Sequence, residues 1–222
     1  MTVAIPWRGG EPHRDAHHAY VRARLREMLP DAVHVDVDTP HACFHRAAAR
    51  NAAVDRAGDG VMILCDADTI PEPEPLHTAI RGAAADGRLH LPYELFVGLS
   101  EKGTQQVHRG VPHRSAHVLE TSARPTGGVL VLTRDAYRNA GGQDERFTGW
   151  GWEDTAFRRQ ADCLLGATVT HPGVIYHLWH PSDADLDHPT YHSNAALYQR
   201  YHRARSAPAR MSTLTREWRT TP

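Results

Sequence analysis

Short apolar runs alternate with longer amphipathic segments along the first part of the chain. Strands are predicted where apolar positions are continuous or alternate, at residues 3–5, 33–37 and 61–65. Helices are predicted where apolar positions recur with helical spacing, at residues 15–28, 45–56 and 74–85. The run Val61–Cys65 is apolar at every position, which is typical of a strand covered on both faces. This order predicts an α/β fold, with a mostly parallel central sheet flanked by helices and ligands at the carboxyl ends of its strands.

The rest of the chain is less regular. Residues 92–124 show little periodicity, and such a long stretch in a compact domain is usually a lid or a mobile loop, so a lid and acceptor region is expected there. Further elements are predicted as a strand at 129–132 and helices at 154–165 and 195–203. The end of the chain resembles a frayed tail, so we expect a single domain, 1–205, followed by a C-terminal tail, 206–222.

The charge balance argues against a nucleic-acid polymer as a partner. The 222 residues include 25 Lys+Arg and 26 Asp+Glu, for a formal net charge of -1, whereas a general nucleic-acid binder carries a basic excess. The three cysteines have no CxxC spacing, which argues against a disulfide scaffold and fits a reducing compartment. No apolar run approaches the roughly 20 residues that span a bilayer, and no signal peptide is evident. We expect a soluble, cytoplasmic protein with no membrane span.

An acidic pair, Asp66 and Asp68, directly follows the third predicted strand. Two carboxylates one residue apart at the exposed end of a buried strand suit Mn or Mg, and a diphosphate can complete the coordination. The metal would then act as a Lewis acid on a departing diphosphate. An Asp-x-Asp sequence alone is also typical of a solvated turn or a helix cap. Its position between an apolar strand and Pro71 favours the metal interpretation.

Residues 125–160 are rich in glycine, tryptophan and acids. Gly127 and Gly128 precede a predicted strand and would let the backbone approach a ligand closely. Trp150 and Trp152 alternate with glycines, and aromatic faces beside carboxylates suit a pyranose ring.

The acids of the same segment, Glu153 and Asp154, lie at the start of a predicted helix. There they are either favourable charges at a helix N-terminus or, in the functional interpretation, one of them is a general base.

Two histidines, His177 and His180, end a strand-like apolar run. Neutral imidazole is a good ligand for Mn and Zn. A spacing of three suits a turn better than an extended strand, on which the two side chains would face opposite sides. Structural histidines with satisfied hydrogen bonds are an equal alternative. Brought to one sheet edge with an acid, the pair would complete a metal site.

The order of these motifs resembles the galactosyltransferase type of GT-A glycosyltransferase, which includes the lactosamine-forming β-galactosyltransferases and their bacterial chondroitin-polymerase relatives. The similarity spans about residues 3–181. It is carried by Ile5-Pro6-Trp7-Arg8, Phe44-His45-Arg46-Ala47, Asp66-Ala67-Asp68-Thr69-Ile70-Pro71, Gly127-Gly128-Val129 and Gly149-Trp150-Gly151-Trp152-Glu153-Asp154.

The resemblance implies a GT-A fold and metal-dependent transfer of a sugar from a nucleoside diphosphate, with a bias to UDP-sugars, to a glycan, protein or small-molecule acceptor. Asp154 is implied as the base of an inverting reaction, with Glu153 holding substrate hydroxyls. The implied donor site consists of Pro6, Trp7, Arg8, Asp36, Phe44, Arg46, Asp66 and Ala67. The implied sugar and acceptor site consists of Gly127, Gly128, Trp150, Gly151 and Trp152. The implied ligands of Mn (or Mg) are Asp68, His177 and His180, with Asp66 as a further ligand or as a contact of the ribose.

The chain departs from the pattern at two positions. Gly10 replaces an arginine of the donor site, and Trp152 replaces a glycine beside the catalytic acid, which changes the sugar pocket. The family's membrane anchor is absent, which suggests a bacterial or phage enzyme acting in the cytoplasm. Two other functions stay open: a phosphohydrolase of nucleotide sugars, in which water replaces the acceptor, and a non-catalytic carbohydrate-binding module.

Overall fold

The computed structural model describes residues 1–123, 125–181 and 186–220. The strands are Thr2–Pro6 (β1), Val33–Val37 (β2), Val61–Cys65 (β3), Thr69–Pro71 (β4), His90–Leu91 (β5), Leu95–Leu99 (β6), Val118–Ala123 (β7), Val129–Thr133 (β8), Val169–Thr170 (β9) and Val174–His177 (β10). The helices are Pro12–Met28 (α1), Arg46–Arg56 (α2), Pro73–Asp86 (α3), Glu101–His108 (α4), Arg134–Ala140 (α5), Glu153–Leu164 (α6), Pro189–Ala204 (α7) and Pro208–Thr220 (α8), with a 3-10 turn at His113–Ser115.

The central sheet has the strand order β2-β1-β3-β8-β5-β9. β1 pairs in parallel with β2 and β3, as predicted, and every residue of β1 and β3 is buried beneath flanking helices. Three of the five strand pairings in this sheet are parallel, as expected, but the sheet is mixed rather than purely parallel, because β8 runs antiparallel to both β3 and β5. The chain reaches β8 from the second sheet and therefore enters the central sheet from the opposite direction.

The second sheet has the order β4-β10-β6-β7, and two of its strands, β6 and β7, lie where an irregular lid was predicted. Residues 92–123 contain β6, α4 and β7, so the expectation of an irregular segment is wrong for these residues, and Arg124 lies outside the described part. β7 forms the edge of the sheet and all its residues are exposed, which explains why it lacks an apolar pattern. β10 pairs with both β4 and β6, and this pairing brings the end of β10 to the turn after β3.

The C-terminal helices form a second hydrophobic cluster beside the main core. α8 packs against α6 and α7 and buries Met211 and Leu214. Residues 208–220 are therefore not a frayed tail, and 221–222 lie outside the described residues. The helix escaped prediction because its apolar positions are few. No helix within the described ranges combines the length and apolar character of a membrane span.

Candidate active site

The carboxyl ends of β1 and β3 open into a cavity of about 740 Å³. Most of the predicted site residues line it: Pro6, Trp7, Arg8, Phe44, Arg46, Asp66, Ala67, Asp68, Gly127, Gly128, Trp150, Asp154, His177 and His180. The cavity lining does not include Asp36, Gly151, Trp152 and Glu153. Segments that are far apart in the sequence thus converge on one cavity, which lies where an α/β sheet binds its ligands.

A carboxylate and two imidazoles meet at the inner end of the second sheet. One ligand atom from each of Asp68, His177 and His180 lies within 4.8 Å of the others. Nε2 of His177 is 3.7 Å from Asp68 Oδ1, and Nε2 of His180 is 3.4 Å from Asp68 Oδ2. Strand pairing places Thr69 opposite His177, and the amide of Leu178 donates to the Asp68 carbonyl at 2.8 Å. The backbone therefore fixes both strand ends at this cluster.

The chemistry of this cluster fits a divalent cation such as Mn. Burial alone would raise the pKa of Asp68, but the hydrogen bond from His180 and the charge of nearby His177 hold it well below its usual range, so the carboxylate is ionised. The same hydrogen bond raises the pKa of His180. Nδ1 of His180 lies 2.8 Å from the Pro181 carbonyl, a second contact of the kind that orients metal-binding imidazoles. A cation would take the place of the proton between Asp68 and His180.

Asp66 lines the cavity outside this cluster. Its Oδ1 accepts a hydrogen bond of 2.6 Å from Nη2 of Arg50. Among the described residues, the ligand atoms that lie close enough to share a metal ion come from Asp68, His177 and His180 and do not include Asp66, so the structure does not support Asp66 as a metal ligand. Arg50 is completely buried and also donates through Nη1 to Asp154 Oδ1 at 2.6 Å. The sequence interpretation missed Arg50. A signal was present, because Arg46 and Arg50 are one helical turn apart and therefore share a face of α2.

The two acids of the Trp-rich segment have different surroundings. Both lie in the first turn of α6 rather than at its N-cap, which is Trp152. Glu153 is buried and paired with Arg46, whereas Asp154 faces the cavity. Burial raises the pKa of Asp154 above its ordinary value, although the positive charge of Arg50 opposes the shift. Of the two, Asp154 is the carboxylate that a ligand in the cavity can reach.

The residues predicted to contact a nucleotide are held by neighbouring side chains. The indole of Trp7 stacks on the His18 ring with a centroid distance of 4.5 Å. Nε2 of His18 is 3.0 Å from Asp36 Oδ1, so Asp36 supports the stack from behind instead of lining the cavity. Arg8 lines the cavity, but its Nε donates to Asp38 Oδ2 at 2.7 Å. Trp7 therefore has a fixed orientation, and Arg8 is committed to an internal partner.

The two tryptophans have separate roles. Trp150 is 42% exposed, lines the cavity and stacks on Tyr191 with centroids 5.7 Å apart. Trp152 turns away and stacks on Tyr198 at 4.8 Å, within the second hydrophobic cluster. The expectation that Trp152 lines the sugar pocket is therefore wrong. A Cβ at Gly151 would lie 3.0 Å from Tyr191, so this glycine allows the close approach of α7.

The glycine pair before β8 forms part of the cavity wall. Gly128 has φ +97°, a conformation that favours glycine, and a Cβ there would lie 2.6 Å from Ile175. The Tyr93 hydroxyl donates to the Gly127 carbonyl at 2.5 Å and faces the Val129 carbonyl at 3.2 Å. The turn is thereby fixed from below, and its backbone is available to a ligand.

Comparison with protein families gives one match within the chain. Residues 108–180 match the family model described as the N-terminal domain of galactosyltransferase. This range contains the glycine pair, the Trp-rich segment and both histidines of the cluster. No curated protein sequence matches the chain.

Comparison with solved structures gives matches along most of the chain. A mutant of Drosophila β-1,4-galactosyltransferase 7 in complex with manganese, UDP-Gal and xylobiose is 15% identical, with a TM-score of 0.60, covering 87% of this chain and 78% of that one. The catalytic domain of the same Drosophila enzyme with xylobiose is 14% identical, with a TM-score of 0.55 and coverage of 88% and 79%. GalNAc-T7 with UDP, GalNAc and Mn2+ is 11% identical, with a TM-score of 0.53, covering 98% of this chain and 48% of that one. These likenesses show that the chain has the GT-A fold.

Proposed function

We propose, from the GT-A fold and the family match, that this chain is a glycosyltransferase, which transfers a sugar from a UDP-sugar to an acceptor hydroxyl in a manganese-dependent, inverting reaction. One observation carries the proposal: the cluster of Asp68, His177 and His180 lines the same cavity as the reachable carboxylate of Asp154. The family match over residues 108–180 includes most of this set.

The donor side of the cavity has residues suited to a nucleotide and a cation. Asp68, His177 and His180 would hold manganese, which, when bound, stabilises the negative charge of the departing diphosphate. Trp7 presents a fixed aromatic face beside the end of β1, where a nucleobase can stack. Support comes from the Drosophila and GalNAc-T7 structures, which were solved with manganese and with UDP-Gal or UDP.

Asp154 is proposed as the general base. Arg50 occupies its Oδ1, which leaves Oδ2 to accept the proton of the acceptor hydroxyl. The acceptor oxygen forms a bond to the anomeric carbon as the bond from that carbon to the diphosphate oxygen breaks, so the configuration inverts. The exposed face of Trp150 would stack on the sugar ring and exclude water from one side of the reaction.

A two-step experiment tests the proposal. Thermal shift with a panel of nucleotide sugars, each with and without Mn, identifies the donor as the compound that raises the melting temperature only together with the metal. Release of the nucleoside diphosphate is then measured with and without candidate acceptors, and NMR determines the anomeric configuration of the product. Sugar release that no acceptor changes would instead identify a hydrolase. Donor binding that is independent of Mn, without turnover, would identify a carbohydrate-binding module. A product with retained configuration would refute the inverting reaction.

The role of Asp154 has its own test. Replacing Asp154 by Asn should lower kcat by roughly two to four powers of ten, because the base is lost while the shape of the side chain is kept. Donor affinity in the presence of Mn should be retained. Transfer at the wild-type rate would refute the assignment of Asp154.

A further inference from the structure

Arg50 is a completely buried arginine that joins two carboxylates from different parts of the fold. Nη1 donates to Asp154 in the first turn of α6, and Nη2 donates to Asp66 after β3, both at 2.6 Å. Nη1 also faces Gln143 Oε1 at 3.3 Å. A single planar fork therefore sets the separation of Asp66 and Asp154, since both are bound by the same rigid group.

A role in packing alone does not account for this arrangement. Burying a guanidinium is costly, and a buried ion pair is often no more stabilising than apolar residues of similar volume. Both carboxylate partners line the cavity, whereas the arginine itself is beneath its wall. The network is thus directed at the two acids on the surface of the cavity rather than at the core.

We propose that Arg50 is a positioning residue. It holds the carboxylate of Asp154 at a fixed position relative to Asp66, which lies at the proposed donor end of the cavity. This inference rests on the proposed function, in which Asp154 receives the acceptor proton. With Oδ1 of Asp154 held, Oδ2 has one orientation, so the proton acceptor is in place before the substrates bind. The hydrogen bond from the Asp66 amide to the Gly128 carbonyl, at 2.7 Å, fixes the other end of the bridge.

The test is a double-mutant cycle with Asp154. Lysine keeps the positive charge of Arg50, but its single ammonium group does not reproduce the two-pronged fork. Arg50→Lys should lower kcat about 10- to 100-fold, as expected for a misplaced catalytic group. The dissociation constant of the UDP-sugar with Mn should change by less than about threefold, because the cation cluster is untouched. In the Asp154→Asn background the same Arg50→Lys change should lower kcat by less than about threefold, because the base on which Arg50 acts is already absent.

A matched control is Arg146→Lys. Arg146 also binds a buried aspartate, Asp144, with Nη2 2.7 Å from Oδ2, but it does not line the cavity. Its replacement should leave kcat unchanged. Arg50→Met serves as a second variant, of similar volume but without charge. It should also lower kcat when Asp154 is present and have little further effect on kcat in the Asp154→Asn background.

Three results would overturn the role of Arg50. They are a wild-type kcat for Arg50→Lys, an equal loss of kcat with and without Asp154, and failure of both Arg50 variants to fold, which would make the residue purely structural. Failure of the proposed function has a different signature. In that case the wild-type protein shows no acceptor-dependent transfer, or Asp154→Asn alone is fully active.

Discussion

The backbone of Gly127 lies directly against the carboxylate of Asp154, so that a Cβ atom added to the glycine would overlap Oδ2 of the aspartate. Gly127→Ala is therefore expected to displace Asp154 and to lower kcat about 10- to 100-fold, as for a catalytic group moved by about 1 Å. Initial rates at saturating donor and acceptor measure the effect. The matched control is Gly58→Ala, because Gly58 is exposed and has no atom within 4 Å of an added Cβ. Equal rates for both variants would contradict the inference that Gly127 leaves room for the Asp154 carboxylate.

If the cluster of Asp68, His177 and His180 binds Mn, removing one of its ligands should abolish the stabilisation of the protein by Mn. Asp68→Asn keeps the size of the side chain and removes its charge, so Mn should no longer raise the melting temperature in the presence of the donor. For the wild-type protein, a ligand at 100 times its dissociation constant adds about 2.7 kcal/mol to the free energy of unfolding. Dialysis against a chelator should abolish wild-type transfer, and added Mn should restore it. Asp55→Asn, at a surface ion pair, should respond to Mn as the wild type does.

The surroundings of Asp154 predict an acid limb in the pH profile. The charged groups that act on it are Arg50, Glu153, Asp66 and Arg46, and Tyr93 is a further titratable neighbour, whose own pKa Asp154 raises. A base must be ionised, so activity is lost as the pH falls through its pKa. Because burial raises the pKa of Asp154 above the ordinary value of 3.8, the loss should begin at higher pH than for an exposed aspartate. The measurement is kcat against pH at saturating Mn and donor. A limb centred at or below 3.8, or one that persists in Asp154→Asn, would contradict the prediction.

The two tryptophans predict opposite phenotypes. Trp150→Ala should raise the KM for the acceptor or donor sugar by about tenfold, equivalent to about 1.4 kcal/mol, with little change in unfolding, because Trp150 is exposed at the cavity. Trp152→Ala should lower the free energy of unfolding by about 1 to 3 kcal/mol, because its ring packs on Tyr198. Denaturant titration and steady-state kinetics of both variants separate the two effects. An unchanged KM in Trp150→Ala would remove this residue from the sugar site.

The C-terminal helix predicts a stability effect far from the site. Met211 is completely buried in α8, so Met211→Ala should destabilise the protein by about 2 to 5 kcal/mol, as measured by the denaturant midpoint at constant slope. Thr213 is exposed on the same helix, and Thr213→Ala is expected to change stability by less than about 0.5 kcal/mol. Equal midpoints for the two variants would mean that α8 does not contribute to the folded core.

The sequence predicted the elements whose burial is patterned. Val33–Val37 and Val61–Cys65 were predicted with the observed bounds, because apolar positions alternate in the first and are continuous in the second, although only the second is buried at every position. The GT-A fold, and the resemblance to galactosyltransferases that the motifs carried, are confirmed by the structural and family comparisons. β7 and α8 were missed because neither has a clear apolar pattern: β7 is an exposed edge strand, and α8 has few apolar positions.

The sequence predicted most of the residues that line the cavity but not the buried arginine that holds two of them. Asp68, His177 and His180 were grouped correctly in space, because motif order along a known fold places them at one sheet edge. Arg50 was missed because its bridge to Asp66 and Asp154 joins residues that are far apart in the sequence; the local signal, a face of α2 shared with Arg46, does not by itself indicate these partners. Trp152 was predicted to line the cavity but packs in the second hydrophobic cluster, because alternation with glycine does not determine the direction of a side chain.

The backbone of Trp152 has φ +74°, the one positive value for a non-glycine residue in the described part of the chain. Such a conformation costs on the order of 1 to 3 kcal/mol for a residue with a side chain, while the ring gains packing against Tyr198 and its neighbours. Exchange of this tryptophan for glycine would relax the main chain and remove the packing, so the two changes in stability have opposite signs. The side chain at position 152 therefore determines how firmly the start of α6, next to the cavity, is attached to the C-terminal helices.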